Sequence, residues 1–258
     1  MLEVIMLGSG SGGNACLVRD AETLILIDAG FSGAEIRKRM ELADLNPDDL
    51  EACLITHEHG DHIKGASIIS KRHKVHLHMH PATKKAGRRR LNGSERIRHF
   101  EMNEEMQLGT LKVTSVPTLH DSESSTGFLI ESGGAKVGYL TDLGAVTEDN
   151  FLMMRRADFM VMEANHDRDM LWNGPYPPHL KARVDSRVGH LSNEDSAEFI
   201  AMLAELGQLE GVMLAHLSEK NNRPELALET VRNRVQKPIE IYIAEQNQPL
   251  KPIIVEKR

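Results

Sequence analysis

The stretch His57–His62 restricts the fold and chemistry of this chain more than any other part of the sequence. It reads HEHGDH and directly follows the short apolar run Glu51–Thr56, which is typical of a buried strand. Side chains this close in sequence can converge on a cation from a bent loop, whereas a helix would need i, i+3 or i, i+4 spacing. Burying such donors without a cation would be costly. The pattern predicts a metal-binding loop whose donors are His57, His59, Asp61 and His62.

Four donors do not complete two coordination shells, so further ligands are expected where other strands end. Three side chains stand directly behind apolar, strand-like runs or the turn after one. They are His120, Asp142 and His216. A lone histidine or aspartate at a strand end is weak support, but three beside HEHGDH favour a metal site.

Apolar strands and helical segments alternate along both halves of the chain, and polar residues cluster where strands end. This pattern predicts an α/β fold with its chemistry at one rim of the sheets. Neither a short repeat nor a low-complexity linker interrupts the chain, so a single domain over residues 1–258 is expected.

The order of these donors, beginning with Asp28, resembles the five motifs of the metallo-β-lactamase superfamily. The resemblance implies a four-layer αββα sandwich with the metal site at one edge of the two sheets, and two cations in that site. One cation would take His57, His59 and His120, the other Asp61, His62 and His216, and Asp142 would bridge them. Asp28 would orient the HEHGDH loop by hydrogen bonds.

Longer blocks narrow the resemblance to the YycJ (WalJ) family, small bacterial cytoplasmic proteins regarded as nucleases. These blocks are Gly8–Asn14, Glu163–Val184, Gly189–Ala197 and His216–Ala227. The block Gly189–Ala197 also resembles a sequence block of tRNA 3′-processing ribonuclease Z. That block contains a histidine that is thought to donate a proton, and the matching residue in this chain is His190. The resemblance implies a phosphodiesterase of nucleic acid, a DNA exonuclease, in which Asp61, Asp142 and His190 are catalytic.

Two further sets of polar residues are candidates for roles around the metals. Asn165, His166 and Asp167 follow the apolar strand Phe159–Glu163 within a shared block, and are expected to line the site or bind substrate. Asp121 directly follows His120, and either orients that imidazole or faces water.

The basic stretch 71–98 contains ten lysines and arginines and one acidic residue, although the whole chain carries a net charge of −7. Its part Lys84–Arg98 has no close counterpart in the family that the chain resembles. A local basic surface can bind phosphates, and Lys84, Lys85 and Arg88 are the candidate contacts. A solvated helix whose charges only aid solubility explains the same stretch equally well.

The ligand set offers imidazole and carboxylate without thiolate, which suits manganese, zinc or iron. The YycJ resemblance favours manganese, while the wider superfamily favours zinc.

An alternative function keeps the same metals and hydrolyses a thioester or small ester, as glyoxalase II-like relatives do. The acidic balance outside the basic stretch favours that alternative.

The N-terminus lacks a basic leader, and the sequence has no run of about 18 apolar residues that could span a membrane. A cytoplasmic location is therefore expected, and the sequence indicates no protein partner.

His76, His78 and His80 alternate with apolar residues in a strand-like run. Side chains two apart on a strand stand ~6.6–7 Å apart in a row, so these three are not expected to form a metal site.

Overall fold

The computed structural model describes residues 1–257, and within that range the chain forms fourteen strands and nine α-helices. The strands are β1 Leu2–Gly8, β2 Ala15–Arg19, β3 Leu24–Ile27, β4 Leu50–Leu54, β5 His76–Met79, β6 Arg96–His99, β7 Glu105–Leu108, β8 Leu111–Thr118, β9 Ser125–Ser132, β10 Ala135–Leu140, β11 Phe159–Glu163, β12 Gly211–Ala215, β13 Glu240–Ile243 and β14 Ile253–Val255. The helices are α1 Gly33–Leu42, α2 Gly60–Ile63, α3 Ala66–His73, α4 Pro81–Gly87, α5 Glu148–Met154, α6 Arg168–Asn173, α7 Pro178–Val184, α8 Asn193–Leu206 and α9 Pro224–Arg234.

The strands form two seven-stranded sheets. The first sheet has the order β14-β1-β2-β3-β4-β5-β6, and the second has the order β13-β12-β11-β10-β9-β8-β7. Strands β3 to β6 are parallel in the first sheet, and β10 to β13 are parallel in the second. Because the carboxyl ends of parallel strands meet at one edge of a sheet, the loops that follow them lie close together.

Strand β1 illustrates how the apolar residues are divided between layers. Val4 and Met6 belong to the core between the two sheets, whereas Ile5 and Leu7 belong to the core beneath the helices of the first sheet. Successive side chains of a strand point to opposite faces, and both faces are apolar here because both are covered.

Helices cover the outer face of each sheet. Residues of α1 and α3 share a core with the first sheet, and residues of α5, α8 and α9 share one with the second. The layers therefore run helix, sheet, sheet, helix, and the predicted four-layer αββα sandwich is confirmed.

Helix α4 occupies only part of the basic stretch 71–98. It ends at Gly87, and the chain then turns through a bond from the Arg90 N–H to the Gly87 carbonyl. Glycine is a weak helix former, which accounts for the early end. Helix α8 begins at Asn193 behind its cap Ser192, so His190 lies in the preceding loop.

Within residues 1–257, no helix combines the length and the apolar character needed to cross a bilayer. The longest, α8, has 14 residues, compared with the ~20 that a span requires.

Candidate metal centre

The loop His57–His62 leads from β4 into α2 and is held by backbone contacts. The Asn14 N–H, at the end of the glycine-rich turn, donates to the Asp61 carbonyl at 2.8 Å. Gly30 passes so close that a Cβ there would lie 1.7 Å from the same oxygen, so a larger residue would displace the loop. The glycine-rich turn therefore supports the loop, as expected of a tight turn near the site.

The first group of donors consists of His57, His59 and His120, whose candidate ligand atoms lie within 4.8 Å of one another. His57 Nδ1 lies 3.0 Å from the Thr56 hydroxyl, and its buried Nε2 has no hydrogen-bond partner among the described residues. His120 Nδ1 lies 3.0 Å from the Gly189 carbonyl, and its Nε2 lies 3.3 Å from His59 Nδ1. The protein thus fixes the outer nitrogens of His57 and His120 and leaves the inner ones facing one another.

The second group consists of Asp61, His62 and His216. The Nε2 atoms of the two histidines each lie 3.6 Å from Asp61 Oδ2. Their Nδ1 atoms face other buried carboxylates, with Asp28 at 2.7 Å from His62 and Glu163 at 3.0 Å from His216. Carboxylates in this position orient imidazoles and make them better ligands.

Asp142 lies between the two groups. Its carboxylate oxygens lie 3.1 Å from His62 Nε2, 3.7 Å from His120 Nε2 and 3.6 Å from His216 Nε2. The structure therefore brings together all seven side chains predicted as ligands, and the bridging role of Asp142 stays a prediction.

The donor set fits divalent cations. Nε2 of His57 and Nε2 of His216 are buried without a hydrogen-bond partner in the described part of the chain, which is costly unless another group occupies the space. The donors are imidazole nitrogens and carboxylate oxygens, and neither cysteine is among them. Such a set suits zinc, manganese or iron.

Burial and charge set the protonation of these groups. Burial lowers the pKa of His57, and the neighbouring His62 lowers it further, so this imidazole is neutral. Burial alone would raise the pKa of Asp142, but His216 and His62 hold it well below its ordinary value. Burial alone would lower the pKa of His216, but Asp142, Asp61 and Glu163 raise it to about 10. The pocket therefore attracts positive charge.

Three residues of the centre have a left-handed backbone that non-glycine residues seldom adopt. Asp28 has φ 61°, Asp142 has φ 56° and His216 has φ 55°. Each lies just after a parallel strand, where the chain must turn to aim its side chain along the sheet edge. Such conformations cost on the order of 1–3 kcal/mol each and concentrate at functional sites.

Glu163 is a functional residue that the sequence reasoning did not identify. It is fully buried at the end of β11, and its Oε1 accepts from His190 Nδ1 at 2.8 Å and from His216 Nδ1 at 3.0 Å. Its Oε2 accepts the Leu143 N–H at 2.9 Å. The available signal was a carboxylate ending a buried strand, the same pattern that singled out Asp142.

His190 lies beside the ligands and keeps 19% of its side chain exposed. Its Nδ1 lies 3.7 Å from Asp142, and its ring stacks on His216 with centroids 5.2 Å apart. Because Nδ1 is taken by Glu163, Nε2 is the nitrogen left for another partner.

Asp121 does not orient His120 through its outer nitrogen, because the Gly189 carbonyl takes that position. The Asp121 carboxylate instead approaches the inner His120 Nε2 at 3.3 Å and forms an ion pair with Arg183. It is therefore a partly exposed neighbour of the ligands, with 27% of its side chain exposed.

The block 165–167 lies close to the ligands but is largely buried. Asn165 donates to the His216 carbonyl at 2.9 Å, and the His166 ring is fully buried, 3.5 Å from Asp185. Asp167 caps α6 by accepting the Met170 N–H. These contacts favour a positioning role, and a direct contact of these residues with substrate stays a prediction.

Lys84, Lys85 and Arg88 are exposed on α4, which packs against the ligand loop. Their contact with substrate likewise stays a prediction.

Comparisons with known proteins give a consistent result. A family model described as "Beta-lactamase superfamily domain" matches residues 23–216. Exodeoxyribonuclease WalJ of Streptococcus pneumoniae is 34% identical over 236 residues, covering 89% of this chain and 87% of WalJ. Exodeoxyribonuclease YycJ of Bacillus anthracis is 32% identical, covering 88% of this chain and 86% of YycJ. The crystal structure of the metallo-beta-lactamase fold protein YhfI from Bacillus subtilis superposes with TM-score 0.76 at 16% identity, covering 97% of this chain and all of YhfI.

Proposed function

This chain belongs to the beta-lactamase superfamily and, within it, to the family of WalJ and YycJ, and from that premise we propose that it is an exonuclease hydrolysing phosphodiester bonds of DNA. The observation that carries the proposal is the convergence of seven donor side chains beside a partly exposed imidazole, His190, held by a buried carboxylate. Two divalent cations, manganese or zinc with iron also compatible, would be held by the two groups of donors, with Asp142 between them.

When bound, the cations stabilise negative charge on the reacting phosphate and acidify an attacking water. Asp61 keeps 24% of its side chain exposed, and burial would raise its pKa, but His62 and His216 lower it and keep the carboxylate ionised. Asp61 can therefore accept a hydrogen bond from the attacking water and orient it.

His190 is placed to act on the leaving group. Glu163 contacts its Nδ1 and holds the ring, which leaves Nε2 free for another partner. Nε2 then donates a proton to the leaving oxygen as the phosphorus–oxygen bond breaks, and solvent restores the proton afterwards.

The decisive experiment incubates metal-loaded protein with end-labelled DNA, with RNA of the same sequence and with a glutathione thioester. We expect nucleotide release from DNA, stopped by a chelator and by Asp142→Ala. Thioester cleavage without nucleotide release would support the glyoxalase II-like alternative and refute the nuclease. Nucleotide release from RNA alone would overturn the assignment of DNA as substrate.

A further inference from the structure

Helix α4 and the turn after it carry five exposed basic side chains, which we call the basic track. Its members are Lys84, Lys85, Arg88, Arg89 and Arg90. All five are exposed, and none forms an ion pair or a side-chain hydrogen bond with another residue in the range 1–257. Their charges are therefore available to a ligand.

The buried face of α4 fixes the basic track against both ligand loops. The Thr83 hydroxyl donates to the Ser124 carbonyl at 3.0 Å, in the segment that follows His120. At Gly87, a Cβ would lie 3.1 Å from Ile63 Cδ1 and 3.6 Å from Glu58 Cβ, so the helix lies directly on the HEHGDH loop. Glycine permits this close approach.

Arg90 lies close to the metal-binding loop in space. A Cβ built on Gly60 would lie 3.3 Å from Arg90 Nη2, 3.4 Å from Nε and 3.7 Å from Cζ, so the guanidinium spreads over that glycine. Gly60 stands between the ligands His59 and Asp61. A phosphate held by Arg90 would therefore sit beside the donors rather than at a remote surface.

A cavity of about 420 Å³ opens along the basic track. It is lined by Lys85, Ala86, Arg88, Arg89, Arg90 and Glu123. Glu123 is its single acidic lining residue, and the backbone N–H of Glu123 donates to Glu58 Oε1 at 3.0 Å, which ties the two ligand loops together below the cavity. A cleft with four cations against one carboxylate suits a polyanion.

We propose that the basic track binds the backbone phosphates of the DNA strand next to the scissile bond, with Arg90 taking the phosphate closest to the metal centre. This inference rests on the proposed nuclease function and adds the surface that holds the strand. Contacts to phosphates carry no sequence information, so the track binds DNA of any sequence. The basic stretch, for which the sequence left two interpretations open, would then contact the DNA strand as it approaches the metal centre.

The test compares the wild type with Arg88→Gln/Arg89→Gln/Arg90→Gln, all metal-loaded, for binding of a phosphorothioate single-stranded oligonucleotide at several salt concentrations. For single strands, each phosphate contact contributes roughly 0.7 to the slope of log K against log salt. Losing three contacts should therefore lower the slope by about 2 and weaken binding about a hundredfold at 0.1 M salt.

The matched control is Arg155→Gln/Lys237→Gln/Lys257→Gln, which removes the same charge at the opposite end of the sheets. Arg155 precedes β11, Lys237 lines a cavity with the first residues of β11 and β12, and Lys257 lies against the turn before β10. We expect a near wild-type slope for this control. An equal loss in both variants, or none in either, would overturn the proposal.

Two further measurements separate this inference from the proposed function. Circular dichroism and metal content of the Arg88/Arg89/Arg90 variant should match those of the wild type, which shows that the variant is folded and keeps its metal centre. The charge-retaining Arg88→Lys/Arg89→Lys/Arg90→Lys variant should keep most of the salt slope, and loss of that slope would contradict phosphate binding. A wild type that binds DNA with the expected slope but cleaves no phosphodiester would refute the nuclease while leaving the track intact.

Discussion

Glu163 is a buried carboxylate that contacts both His190 and His216. It joins His190 to His216 through one carboxylate oxygen and anchors the loop after β10 through the other. Burial alone would raise its pKa, but the adjacent His190 and His216 lower it to about 2, so Glu163 is a carboxylate throughout the neutral range. Together with Asp142 and Asp61, its negative charge raises the pKa of His216 against the effect of burial.

Glu163→Gln should keep the shape of this side chain and remove its charge. We expect a loss of about 10–100-fold in kcat or in metal affinity, because residues that support metal ligands have effects of this size. KM for DNA should change little, since the basic track is untouched. The separate values of kcat, KM and metal affinity test the prediction.

The matched control is Asp158→Asn, at the other end of the same strand. Asp158 accepts the Lys136 N–H at 2.7 Å, far along β11 from the ligands. This change should lower stability and leave kcat unaltered. If both variants lose kcat equally, Glu163 acts only through the general stability of β11.

The sequence allowed prediction of those residues of the centre that directly follow an apolar strand or lie within HEHGDH. All seven predicted ligands converge, and Asp28 bonds to His62. Glu163 also ends an apolar strand, but the sequence does not show that it lies beside His190 and His216, which is what gives it a role. Arg90 is similar, since its proximity to Gly60 arises from the turn after α4.

At the scale of elements, α8 determines where the His190 loop ends. The Ser192 hydroxyl accepts the Asp195 N–H at 3.1 Å, and Glu194 and Asp195 lie in the first turn, where acidic residues complement the helix dipole. The backbone of Ser192 also pairs with that of His166. The cap therefore fixes both the helix start and the loop that carries His190.

Ser192→Ala should lower the free energy of unfolding by about 1 kcal/mol, the usual cost of losing a side-chain cap. Urea denaturation of metal-saturated protein measures it. Ser32→Ala, at the equivalent cap of α1, is the control and should cost a similar amount. Turnover should fall only in the Ser192 variant, and equal turnover in both would show that the cap does not position His190.

Strand β5 carries the histidines that the sequence argued against as a metal site. His76 and His78 lie in the strand, and burial together with the charge of Arg98 lowers the pKa of His78 to about 4. His80 lies outside the strand and caps α4 by accepting the Ala82 N–H. No group of three converging donors within residues 1–257 includes any of these histidines.

His76→Gln/His78→Gln should therefore leave metal content and turnover unchanged. The measurement is metal analysis of the purified variant together with DNA hydrolysis. His57→Gln/His59→Gln is the comparison, and it should lose metal and activity. Loss of metal from the β5 variant would show that these histidines belong to a cation site.

Long apolar strands were easy to predict, whereas β6 and β7 were not. Strand β6 reads RIRH and is mostly exposed, so it has no apolar periodicity to detect. Helices α6 and α7 have 6 and 7 residues, too short to be stable without tertiary contacts. Their formation depends on packing that a single sequence does not display.

On the scale of the whole molecule, the metal centre joins the two sheets. The HEHGDH loop extends from the first sheet, whereas His120, Asp142 and His216 follow strands of the second. Cations held between them would link the two halves of the sandwich across its edge. The free energy of metal binding would then also stabilise the folded protein relative to the unfolded chain.

Removing the metal with a chelator should lower the melting temperature. A ligand present at 100 times its Kd stabilises by ~2.7 kcal/mol, which corresponds to roughly 5–10 °C in a protein of this size. Calorimetry with and without chelator measures the shift, and adding metal back should restore it. Asp142→Ala should show a smaller shift, and an unmoved wild-type transition would contradict a cross-linking role.

The pairing of distant strands was the part of the architecture that residue patterns could not supply. Apolar runs identify β1 and β12 as strands, but nothing in them specifies that they belong to different sheets. That information entered through the resemblance of the ordered motifs to a known family, which the structure supports.

The left-handed turns at Asp28, Asp142 and His216 limit how this centre could be transplanted. A protein engineer who copied the seven ligands and Asp28 onto ordinary strand ends would aim the side chains of Asp28, Asp142 and His216 in the wrong direction. Asparagine tolerates such a turn, whereas valine or isoleucine does not. Any scaffold that is to host this chemistry must therefore reproduce three bends of the main chain before it reproduces a single ligand.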